Sequence, residues 1–98
     1  MIMDVNALKF RYNIASMMVF EQVTNKPFAL DGTITSMMVL VWSVIEANNP
    51  GTIEMSKMLE WFDEHPDDMT YLLDELNKQI AISNVFASDE KKTANDNE

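Results

Sequence analysis

The side chains most able to do chemistry are concentrated in one short run, DEHPDD, from Asp63 to Asp68, where the sole histidine stands between two acidic pairs. His65 there reads as a general base flanked by carboxylates or as one ligand of a metal ion. No other residues have the spacing to complete a ligand set, and the acids lack the Asp-x-Asp-x-Asp-Gly order of a calcium loop. The plainer reading, a polar turn residue in a solvated acidic face, is the one adopted.

The remaining routes to catalysis are no better supplied. Gly32 and Gly51 are the only glycines and stand far apart, so there is no phosphate-cradling loop. Neither a Gly-x-Ser-x-Gly elbow nor a His-Glu-x-x-His pair occurs, and the absence of cysteine removes thiolate nucleophiles, thiolate metal sites and disulfides together. The expectation is a protein that is not an enzyme and takes neither cofactor nor metal.

Charge narrows the partners. Sixteen acidic residues against seven basic ones give a formal charge of −9, which repels nucleic acid and anionic membrane surfaces. The opening MIMDVNALKF has no basic region leading into an apolar one, and the longest apolar run, Met37 to Ile45, falls far short of the roughly 20 residues that cross a bilayer. A soluble cytoplasmic protein with protein partners is expected. Nine methionines are unusual in 98 residues. Flexible and polarizable, methionine suits surfaces that accept several apolar partners, but at helical spacing it also fills cores. Met58 and Trp61 are candidate partner contacts on this reasoning, Trp61 because it falls off the main apolar stripe of its helix.

The elements that must position these residues follow from periodicity. Leu8, Phe10 and Tyr12 alternate with Lys9, Arg11 and Asn13, predicting a short strand from about Val5 to Tyr12. Asn13 then caps a first helix of about ten residues, which ends at Thr24-Asn25-Lys26-Pro27. Asp31-Gly32-Thr33 leads into a second helix, capped by Thr33 or Thr35, apolar around most of its circumference and expected at the centre of the fold. NNPGT, Asn48 to Thr52, closes it. A third helix, capped by Thr52, places Met55, Met58, Leu59 and Phe62 on one face. A fourth begins at Pro66 with Asp67 and Asp68 at its dipole-positive end and runs toward Phe86. The fold class is therefore mainly α: about four helices in one small compact domain, residues 1–87, with a short N-terminal β-strand and a disordered, flexible acidic tail at 88–98. An edge strand without a partner invites pairing, so a homo-oligomer through that strand is a further expectation.

The order of these pieces, with FEQVTNKPF from Phe20 to Phe28 at the first helix stop, resembles the small tail assembly chaperones of long-tailed bacteriophages and prophages. Their members often carry Phe-Glu-x-[Ile/Val]-Thr-Gly-Lys-x-Phe in this place. The matching positions are Phe20, Glu21, Val23, Thr24, Lys26 and Phe28; Asn25 stands where glycine is usual, and asparagine also tolerates a left-handed helix end. The resemblance covers roughly Ala7 to Leu76. It implies a non-enzymatic role in the bacterial host cytoplasm: binding the tape measure protein, with the tail tube protein as another partner, while the tail tube assembles. The stretch itself reads first as a structural helix stop and second as a binding loop, in which Lys26 and Phe28 are the candidate partner-binding residues. The rival readings are a small helical adaptor or regulator binding one folded partner, and a structural tail connector.

Overall fold

The computed structural model describes the backbone of residues 3–96 and the side chains of residues 3–83. Four helices follow one another: α1 (Ile14–Thr24), α2 (Ile34–Asn48), α3 (Met55–Glu64) and α4 (Pro66–Asp96). The tail expected at 88–98 falls among residues whose side chains lie outside those described.

α2 is the centre because it is apolar on nearly every side. Leu40, Val41, Val44 and Ile45 are all buried, and the helix packs against each of the other three. α1 contributes Phe20 to this core, α3 contributes Met58 and Phe62, and α4 contributes Leu72 and Leu76. Met3, Val5 and Ile53 reach in from the connections. The buried polar atoms are satisfied: the Ser16 hydroxyl donates to the Arg11 carbonyl at 3.0 Å and that of Ser43 to Val39 at 2.7 Å.

The strand expected from Val5 to Tyr12 is not formed. Residues 4–7 turn instead, and 9–12 run without a partner strand. The alternation itself was correctly read, since Leu8, Phe10 and Tyr12 pack on the core while Lys9, Arg11 and Asn13 are exposed. What replaces the neighbouring strand is a set of side-chain amides. Asn49 takes the Lys9 N–H at 3.0 Å and gives its own amide to the Lys9 carbonyl at 2.7 Å. Gln79 does the same from α4, accepting from Tyr12 N–H at 2.6 Å and donating to the Phe10 carbonyl at 2.7 Å. Asn48 donates to the Arg11 carbonyl at 2.9 Å. A primary amide carries the same donor and acceptor as a peptide group, so each completes the ladder that a strand would have supplied. Together these bonds engage the Lys9 N–H and carbonyl, the Phe10 and Arg11 carbonyls and the Tyr12 N–H.

Helix ends follow local chemistry closely. Asn13 caps α1 by accepting from Ser16 N–H at 2.9 Å, and the Ser16 hydroxyl completes the reciprocal box. Asn25 ends α1 in the left-handed conformation, φ 57°, its N–H bonded to Glu21 O. Phe28 then folds back edge-on to Phe20, ring centroids 5.2 Å apart. The Glu21 carboxylate, exposed to solvent, accepts from Phe28 N–H at 2.7 Å. Val23, one turn beyond Phe20, is exposed.

α3 starts at Met55 with Glu54 at its cap, not at Thr52. The chain must first carry Ile53 into the core, where its carbonyl accepts the Trp42 indole N–H at 2.9 Å, and that delays the first helical turn. Thr33 caps α2 as expected, and beside it Asp31 Oδ1 accepts from the Ser36 hydroxyl at 2.7 Å, the Thr33 hydroxyl at 2.7 Å and the Thr33 N–H at 3.0 Å. The Ser36 bond is the largest cause, with those of Thr33 next, of an Asp31 pKa lowered from 3.8 to about 2. The stabilisation from this charged cap is complete above the unfolded value near 3.8 and is lost as pH falls through about 2. An NMR acid titration of the Thr33 and Ser36 amides should accordingly show its midpoint near 2; a midpoint near 4 would contradict the geometry.

Candidate partner-binding face

His65 is exposed at the α3–α4 corner, its ring stacked on Trp61 with centroids 3.8 Å apart and Nδ1 3.1 Å from the Trp61 carbonyl oxygen. The Trp61 indole N–H donates to Asp68 Oδ2 at 2.7 Å, so the corner is braced from both sides. Among the described residues no group of three potential metal ligands comes together.

The sequence candidates for partner contact are placed apart. Lys26 is exposed in a shallow hollow with Glu21, Asn25 and Pro27, and Phe28 is half-buried against Phe20 and Tyr12. Trp61 lines a different hollow with Lys57, Glu60 and Glu64. Met58 is wholly buried and offers no surface. Most described methionines share that fate in whole or part; Met18 is the one classed as exposed.

Met18 belongs to an apolar face that sequence reasoning did not single out. On α1, Ile14 is 74% exposed and Met18, one turn on, 55%; Val23, 43% exposed, lies about 140° around the helix from Met18, with Val19 and Gln22 between them. Such exposure is unusual in a helix with a single charged residue among eleven, and that residue, Glu21, is held by the Phe28 backbone. A groove of about 430 Å³ runs beside this face, with Met18, Val19 and Val23 on one wall and Trp42, Ala47 and Pro50 on the other. A second depression of about 530 Å³ continues past Trp42 toward Ile53 and Lys57. Trp42 and Glu46 border both. The bond to Ile53 O fixes the Trp42 ring between them, and Glu46 is steadied by accepting from Gly51 N–H through Oε1 at 2.9 Å.

Compared with known proteins, the chain matches no family model, no curated protein and no solved structure. Its surface must therefore be read on its own chemistry. An uncharged, partly flexible face on a strongly acidic chain is suited to covering apolar side chains of another protein. The signal for it lay in the composition of α1, which is apolar around most of its circumference yet sits at the edge of the fold, where one side has nothing to pack against.

No described helix is long and apolar enough to cross a membrane.

Proposed function

We propose that this chain is a non-enzymatic tail assembly chaperone of a long-tailed bacteriophage or prophage, which binds the tape measure protein and keeps it soluble in the host cytoplasm while the tail tube is built. The observation that carries the reading is the exposed, nearly uncharged face of α1 with the groove beside it. The order of elements and the FEQVTNKPF helix stop supply the family likeness. A long client offers many apolar helical segments, and several copies bound along one molecule hold it through avidity, each site needing only modest affinity. The formal charge of −9 keeps the coated complex dispersed.

Co-expression with the tape measure protein of the same virus tests this. A soluble complex with several copies per client, absent from finished tails, is the expected result. Recovery of the chain in purified tails would make it a connector. A fixed one-to-one complex with a folded partner would make it an adaptor.

A further inference from the structure

Resting on that reading, we infer that the trench over Trp42 receives an amphipathic α-helix of the client which lays small apolar side chains against α1 and directs a lysine or arginine at Glu46. The two open depressions share Trp42 and Glu46 and lie side by side across them, and neither is an enclosed pocket for a small molecule. One is walled by α1 and α2, whose interior backbone groups are spent within their own helices; the other is walled by α2, residues 51–54 and Lys57, where Glu46 holds the Gly51 N–H, Asn49 O the Thr52 N–H, Trp42 the Ile53 carbonyl and Met58 N–H the Glu54 carbonyl. Recognition must therefore come from interdigitating side chains, the mode of a helix in a groove, and not from strand addition.

Charge decides between a client and a second copy of this chain. Glu46 keeps one carboxylate oxygen without a hydrogen bond among the described residues, and the basic residue that lines the trench, Lys57, pairs with Glu60 at 3.5 Å. Two chains of −9 repel one another, whereas a helix bearing a cation is drawn to the trench and pinned in register by Glu46.

Two synthetic helical peptides with the same Ala/Leu face, differing only in a Lys or a Glu beside it, make the test by calorimetric titration. The intact protein should prefer the Lys peptide. Glu46→Gln retains an acceptor for Gly51 N–H but removes the charge, and should weaken that peptide about three- to fivefold and erase the preference. Met18→Glu, at an exposed position, should weaken both peptides by about tenfold or more, with unchanged helical circular dichroism. Indifference to peptide charge, full affinity in Met18→Glu, or no binding of either peptide to the folded protein would overturn the inference. A tape measure complex that survives both variants removes the trench and leaves the chaperone reading standing; peptide binding as expected with no tape measure complex does the reverse.

Discussion

Phe20→Ala should destabilise the protein by about 3 to 4 kcal/mol, a large part of the margin of so small a domain. Phe20 is only 3% exposed and is the large apolar side chain that α1 commits to the core. Its ring receives Phe28 edge-on at 5.2 Å, and Phe28 in turn touches Tyr12 with centroids 6.4 Å apart, so one side chain joins α1, the loop after it and the N-terminal segment. Truncation leaves a cavity that none of these elements can collapse into without breaking the Glu21–Phe28 bond. Phe28→Ala, at a half-buried position, should cost about half as much. Urea unfolding followed by circular dichroism measures both, and a Phe20→Ala loss below about 1 kcal/mol would mean that α1 is not anchored through this ring.

Gln79→Ala comes next, with an expected loss of about 2 to 4 kcal/mol. The substitution strips partners from two partly buried backbone groups at once, the Phe10 carbonyl and the Tyr12 N–H. Asn49→Ala removes an equivalent pair from Lys9, but in an exposed place where water substitutes, so about 1 kcal/mol is expected there. Gln79→Glu should resemble the alanine variant, because a carboxylate accepts from Tyr12 but faces the Phe10 carbonyl with no hydrogen to give. Hydrogen exchange at the Tyr12 amide is the direct readout: it should accelerate strongly in Gln79→Ala and little in Asn49→Ala. Equal effects of Gln79→Ala and Asn49→Ala would deny that burial sets the difference.

These two results bear on what could be read from the amino-acid order. The four helices were legible because caps and stops are local: Asn13, Thr33, Asn25 and Pro66 act on neighbours a few residues away. Alternating burial in residues 8–13 was legible for the same reason. The partner that makes a strand of such a segment was not, because period two reports which side chains face inward and is silent on what bonds the backbone. The answer here lies 69 residues along the chain for Phe10 and 40 for Lys9.

The candidate face was hidden by a related limit. Ile14, Met17, Met18, Phe20 and Val23 are all apolar, so the rotation of α1 about its axis is fixed by α2 and not by its own pattern. Only the packed structure shows that Phe20 turns in while Ile14, Met18 and Val23 turn out. Met58 illustrates the converse, a flexible side chain attractive as a contact that is spent on the core.

On the proposed function, apolar segments of a client are held on α1 and the C-terminal half of α2. Hydrogen exchange of the full chain, alone and in complex with the tape measure protein, tests it most directly. Exchange should slow over Ile14–Thr24 and the last turns of α2, with α3 little changed. Protection confined to α3 and the Trp61–His65 corner, with α1 exchanging as in the free protein, would contradict it.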